Sequence, residues 1–462
     1  VIGSGPGGAV TAQMLAEHGK QVLLIEEGEA FEKREITFYS KEELEKKYRN
    51  SGLTVAMGRP NINIAQGRCF GGASEINAGL YHRTPQEVLH KWQTEYQLVD
   101  VSNNQMDTHF SHCEKLLSVS NHPEGASAIS KKLALGANKL RWESVKVPKW
   151  YKFNTNSKTV TVEKQTMSKV CLKMAKEYGC EFLTSTKVLS LKKESKGWQI
   201  KCINNKKDDI NIFAEDVFVA AGAVQTPALL RRSGIKKNIG NTLSLHPMIK
   251  VIAKFDHTIN GSQEDIGEHQ IKEFAPDITM GCGVSTKTFL ALGLNTNNTD
   301  LLTLIDDWQS MASYYISIVC NSSHGNVRSI KNNALVRYQL SKEEINRLND
   351  GMKKLCQLLF ESGAKSVIPV VRNGPMLSNK EEIEQLKDIP KHDLSLTSVH
   401  LFSSCPMGEN KQICATNSFG KVNEVDNLYI ADASLLCTSP WVNPQGTIMA
   451  FSRRNVLHYL NQ

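Results

Sequence analysis

The chain has 462 residues, and 55 Lys and Arg against 47 Asp and Glu leave a net charge of +8. Hydrophobic residues at 40% and charged residues at 22% match a folded globular chain and exclude disorder as its main state. The mild positive excess forms no long like-charge run, so no nucleic-acid partner is expected, and no apolar stretch is long enough for a transmembrane helix.

The chain opens inside a β-α-β unit. Val1-Ile2 ends a strand, Gly3-Ser4-Gly5-Pro6-Gly7-Gly8 turns, Ala9 to His18 reads as a helix stopped by Gly19, and Gln21 to Ile25 is a buried strand followed by Glu26. This opening has the look of a fragment. A glycine-rich patch runs from Gly67 through Gly71 to Gly79. Ser157 to Tyr178 predicts a helix, and Glu181–Ser185, Val188–Lys192, Trp198–Ile203 and Asp216–Ala220 predict strands. Gly222 closes the last strand, and Pro227 should open a helix to Ser233. Alternating segments between 250 and 395, such as Met248 to Phe255 and Tyr314 to Cys320, predict an antiparallel sheet. Ser341-Lys342-Glu343-Glu344 is a capping box that starts a helix to Glu361, with Gly363 as its stop. The last 65 residues return to strand and helix signals.

The strongest chemical signal is Gly3-x-Gly5-x-x-Gly8 between strand and helix, with Glu26 beyond it. The first glycine makes the turn, the second lets a pyrophosphate approach the backbone, and the third lets helix pack on strand. The helix N-terminus then offers N–H groups to the phosphates. A carboxylate at Glu26 suits ribose hydroxyls and repels a 2′-phosphate, which favours FAD or NAD over NADP. The 11 cysteines form no C-x-x-C pair. That argues against disulfides and zinc, and predicts a reducing, cytoplasmic setting. His and acidic residues do not cluster at ligand spacing, so no metal is expected.

Further motifs carry a family resemblance. The patch at Gly67 to Tyr81, the run Gly222 to Ile235, Leu245-His246-Pro247, Ser323-His324-Gly325-Asn326-Val327, His400 to Gly408, Val425 to Ser434 and Ser439-Pro440-Trp441-Val442-Asn443-Pro444-Gln445 follow one another in order. In that order they resemble the glucose–methanol–choline (GMC) flavoprotein oxidoreductases. Phe70, Ala73, Lys236 and Leu245 depart from the family's usual residues without removing a catalytic group.

The resemblance implies an α/β fold, α+β overall. A Rossmann-like FAD-binding domain (1–84, 157–250 and 396–462) would carry a discontinuous substrate domain (85–156 and 251–395) built on an antiparallel sheet. It implies oxidation of an alcohol carbon, with His400 as base and Asn443 as its partner donating to the oxygen. Gly3, Gly5, Gly8 and Glu26 would hold the ADP half of noncovalent FAD. Gly71 and Asn77 would lie on the flavin loop, Val188 at the adenine, Asp432 and Ala433 near the ribityl or pyrophosphate region, and Gln445 and Thr447 before the flavin pyrimidine. His82 is a further candidate for lining the site. The rate should rise with pH through an ordinary histidine pKa, since only neutral imidazole accepts a proton. The partner is a small-molecule alcohol, with oxygen or another acceptor taking the electrons. A non-redox family member, such as a lyase or photoenzyme, is the alternative, and an NAD-dependent dehydrogenase a third reading.

Overall fold

The computed structural model describes all residues except 32–35, 38–39, 124–125, 155–160 and 261–266. Five parallel segments form the floor of the first half. Glu181–Leu183 pairs with Leu23–Ile25, Ile2 bridges Ile25 and Val219, and Val217–Val219 pairs with Leu428–Ile430. The helix Pro6–Glu17 packs on this sheet between the helices Cys171–Glu177 and Gln445–Leu460. Its start precedes the expected Ala9, because Pro6 fits a first helical turn.

The second half is a nine-stranded, mostly antiparallel sheet. Its path runs Val55–Ala56, Ile62–Ile64, Leu396–Ser398, Met248–Lys254, Met311–Ile318, Ile278–Cys282, His269–Ile271 and Ser144–Lys146, with Ser366–Pro369 also on Met248–Lys254. The sheet therefore draws strands from 55–64 and 396–398 as well as from the expected substrate segments. The helices Ala128–Leu140 and Lys342–Glu361 cover one face. Tyr314 and Ile316 point to that face: the Tyr314 hydroxyl donates to the Ile129 carbonyl, and Ile316 lies against Gly351. Alternation then sends Tyr315 and Ser317 to the other face, which is a cavity wall.

The capping box at Ser341 and Glu344 forms as expected, and Gly363 takes a φ of +93° after the helix. Two sequence expectations need correction. The helix expected from Ser157 to Tyr178 is confined to Cys171–Glu177. Thr161–Lys164 is a strand instead, in keeping with its β-branched Thr161 and Val162, and residues 157–160 lie outside the described residues. The helix expected to open at Pro227 starts at Gly222, leaving Pro227 in its interior. A proline there removes the N–H that would serve the Ala223 carbonyl. The Ser404 hydroxyl donates to that carbonyl at 2.6 Å instead, so the missing bond is replaced from 181 residues away.

Candidate active site

Three helix N-termini converge on one continuous cavity of about 880 Å³ between the two halves. They belong to Pro6–Glu17, Gly222–Arg232 and Gln445–Leu460, and Gly5, Gly222 and Gln445 line the cavity. Such ends present unpaired N–H groups and a positive dipole to an anion.

The glycine turn is built for close approach. A Cβ on Gly3 would meet the Ala220 carbonyl at 2.3 Å, one on Gly7 the Ala431 carbonyl at 1.9 Å, and one on Gly8 the Gly3 carbonyl at 2.0 Å. Those three glycines pack helix on sheet, and Gly7 had no such role assigned from the sequence. Gly5 differs: a Cβ there would meet no protein atom within 4 Å and would project into the cavity. That cradle, at a helix N-terminus, fits the pyrophosphate of FAD.

Glu26 is buried at the end of Leu23–Ile25. One carboxylate oxygen accepts from the Ser4 amide at 3.0 Å and the Ser4 hydroxyl at 2.6 Å, and the other accepts from the Gly28 amide at 2.7 Å. Burial raises its pKa, and these donors oppose the rise. Ser4 Oγ also accepts from the Gly71 amide at 2.9 Å, which ties the two glycine-rich loops together. Glu26 thus braces the turn besides facing the cavity. Glu26→Ala should weaken FAD retention by about tenfold or more, given about 1.5–3 kcal/mol per charged hydrogen bond. Equilibrium FAD titration of the apoprotein checks this, and parental affinity in the variant would remove Glu26 from the cofactor's support.

Asn77 and Gln445 are brought together, with Asn77 Nδ2 donating to Gln445 Oε1 at 2.5 Å, and both line the cavity. Asp432 and Ala433 also line it. Asp432 accepts from the Gly222 amide at 2.9 Å, the Thr226 hydroxyl at 2.5 Å and the Ser434 amide at 2.7 Å, so it anchors a helix start. Thr447 is fully buried beneath the lining and shares a 2.8 Å hydrogen bond with Thr84. Gly8 and Gly71 likewise support lining residues without lining the cavity themselves. Val188 is not brought to the cavity. It is paired in the sheet with Cys202, and its carbonyl accepts from Arg232 Nη2 at 2.9 Å.

At the sheet end of the cavity stand His400, Asn443 and His246. Ser244–Leu245 pairs antiparallel with Leu401–Phe402, and extending that register by one residue sets His246 opposite His400. Their Nδ1 atoms are 3.0 Å apart. Asn443 Nδ2 lies 3.2 Å from His400 Nε2, and Asn443 Oδ1 faces Gln270 Nε2 at 3.4 Å. His246 Nε2 meets Ser439 Oγ at 2.5 Å.

One proton arrangement satisfies the chain. An Asn amide nitrogen can only donate, so His400 Nε2 accepts. His400 Nδ1–H then donates to His246 Nδ1, and His246 Nε2–H donates to Ser439 Oγ. His400 is thereby held neutral, with its Nε2 lone pair on the Asn443 amide at the cavity wall. Burial pushes its pKa down to about 4, below the ordinary histidine value expected from the sequence. His246 had no role assigned from the sequence, although its Leu-His-Pro motif was the visible signal. His82 is not among the lining residues, and burial, with Lys272 and His400 adding, pushes it to about 3.

Among the described residues no His, Cys, Asp or Glu group is arranged to hold a metal, and the cysteines are unpaired. No described helix is long and apolar enough to cross a membrane.

A glycine turn at a helix N-terminus and a buried imidazole pair thus share one cavity. Models of the GMC oxidoreductase amino- and carboxyl-terminal regions match residues 44–248 and 322–452, and an NAD(P)-binding Rossmann-like domain model matches residues 1–31. The chain belongs to the GMC oxidoreductase family. It is 32% identical to an uncharacterized GMC-type oxidoreductase of Sinorhizobium fredii, over 98% of this chain and 92% of that protein. It is 25% identical to a long-chain-alcohol oxidase of Arabidopsis thaliana, over 97% of this chain and 66% of that one. Its fold matches pyridoxine 4-oxidase from Mesorbium loti at a TM-score of 0.77 and 15% identity, covering 100% of this chain and 98% of that one.

Proposed function

We propose that the protein is an FAD-dependent oxidoreductase that oxidises the CH–OH group of an alcohol, with His400 as base. The observation that carries this reading is the Nε2 lone pair of a neutral His400, held at 3.2 Å from the Asn443 amide at one end of the dinucleotide cavity. The long-chain-alcohol oxidases among its relatives point to the same donor group.

An alcohol hydroxyl that replaces the direct Asn443–His400 contact can hand its proton to the imidazole while the Asn443 amide donates to the oxygen as charge develops. His246 fixes the tautomer, because its Nδ1 accepts the His400 Nδ1 proton and leaves only Nε2 able to act as base. Imidazolium formed at His400 is stabilised through the same contact. FAD, when bound noncovalently in the glycine cradle, supplies the acceptor for the hydride that leaves the carbinol carbon. Asn443 cannot itself be the base, since an amide does not accept a proton near neutral pH. Oxygen or another acceptor takes the electrons afterwards.

Anaerobic titration of the yellow protein with alcohols tests the reading. Bleaching of the flavin band, with one carbonyl formed per flavin, is the expected outcome. A flavin that stays oxidised with every alcohol, in a protein that turns over substrate in a lyase or light-driven assay, would establish the non-redox alternative.

A further inference from the structure

The wall of the cavity opposite the glycine cradle carries an unexplained charge. Alternation along the antiparallel sheet sends Met248 and Lys250, Tyr315 and Ser317, and Gln270 and Lys272 to the cavity face. Lys250 sits directly across from Tyr315, whose hydroxyl accepts from Gln270 Nε2 at 3.0 Å, and Gln270 reaches Asn443. The two lysines therefore share a wall with Tyr315 and Gln270, which lead to Asn443. Neither Nζ has a hydrogen bond or ion pair among the described residues, although Lys250 rests 5.2 Å from the Phe289 ring centroid.

The acidic residues of the lining are elsewhere. Glu26, Glu27 and Asp432 stand at the dinucleotide end, and each already has donors: Glu27, for example, is paired with Arg49 at 2.7 Å. Glu143 adds an attraction to Lys272, but it is exposed and is not part of the lining. Two half-buried ammonium groups on one cavity wall, with no acidic side chain of the lining beside them, are a charge that an anionic ligand would offset.

We propose that the substrate is an alcohol that also carries an oxyanion, a carboxylate or a phosphate ester, held by Lys250 and Lys272 while its hydroxyl meets His400. The proposal rests on the alcohol-oxidation reading and names its substrate class. Burial pushes Lys272 down to about 8 and lowers Lys250 too, a penalty that a bound anion relieves. Lys272 also lowers the pKa of His82 and His246, so an anion beside it removes a positive charge facing the imidazole pair.

The test separates anion binding from oxidation. Calorimetry on the FAD-loaded protein at low salt, with octanoate and octyl phosphate as redox-inert probes, reads the site directly. Binding is expected in the parent, and a loss of roughly tenfold to a hundredfold in Lys272→Met and Lys250→Met, which keep the unbranched apolar stem without the charge. The retained flavin spectrum reports that the variants fold. The tighter of the two probes identifies the headgroup. Anaerobic bleaching is then compared between ω-hydroxycarboxylates, the phosphate monoesters of the matching diols and the neutral methyl esters. The anions are expected to half-saturate at about tenfold lower concentration or less, and the Lys272→Met ratio to approach one. Absent probe binding, or equal binding by parent and variants, overturns the proposal, as does slowing of reoxidation by oxygen as the variants' only defect. Probe binding without bleaching by any alcohol would instead overturn the alcohol-oxidation reading and leave the anion site standing.

Discussion

Gly5→Val should yield a folded protein that binds no FAD. Most glycine substitutions in this turn would report packing damage instead: a Cβ on Gly3, Gly7 or Gly8 drives into a backbone carbonyl at 2.3 Å or less. Gly5 lacks that ambiguity. Its φ of −64° and ψ of −178° are open to any residue, and a Cβ meets no protein atom within 4 Å. The branched side chain would occupy only the space above the helix N-terminus where the pyrophosphate must lie. The purified variant is therefore expected to keep the parent's circular dichroism and to be colourless. A folded, yellow, fully loaded Gly5→Val protein would show that the dinucleotide binds elsewhere.

His400→Ala should retain FAD and lose about 10²–10⁴-fold in the rate of flavin reduction, the usual contribution of a positioned general base. The pH dependence sharpens this. Burial depresses the His400 pKa to about 4, so the neutral form dominates across the ordinary working range. The parent rate is expected to be flat above about pH 6 and to fall as acid protonates the base near that depressed value. The variant loses the acid limb and recovers part of its rate at high pH, where hydroxide replaces the imidazole. Stability moves in the same sense. His82, His246 and His400 all bind protons less readily folded than unfolded, so acidification below the ordinary histidine value favours the unfolded chain. Anaerobic stopped-flow on freshly pH-jumped samples separates the two effects. A parental acid limb persisting in His400→Ala would assign the base to another group, and His246, which touches His400, is the first to examine.

The sequence was most legible where function depends on adjacent residues. Gly3, Gly5, Gly8 and Glu26 lie within one β-α-β unit, and their spacing alone points to the turn, although not to the part Gly7 plays in it. The capping box at Ser341 and Glu344 is equally local. Ser404 replacing the hydrogen bond that Pro227 forfeits was not legible, because the partner sits in another motif. The same holds for His246. Its value comes from the register of Ser244–Leu245 against Leu401–Phe402, a pairing between segments 154 residues apart. Val188 shows the converse: a position matched by motif, but turned into the sheet and toward Arg232. Lys250 and Lys272 belong to no motif, and only the pleat of the assembled sheet puts them on one wall.

The contacts at the centre of the site also constrain how the molecule is made. Ser4 meets Gly71 across 67 residues, His246 meets His400 across 154, and Asn77 meets Gln445 across 368. Closing such loops costs entropy that only finished packing returns. Every strand of the nine-stranded sheet has left the ribosome by residue 398, whereas the partner of His400 and the clasp on the flavin loop arrive only with 443 to 445. A nascent chain can thus build its large sheet well before it can perform any chemistry. A cofactor seated between the Gly3–Gly8 turn and the Gln445–Leu460 helix would have to wait for the two to meet.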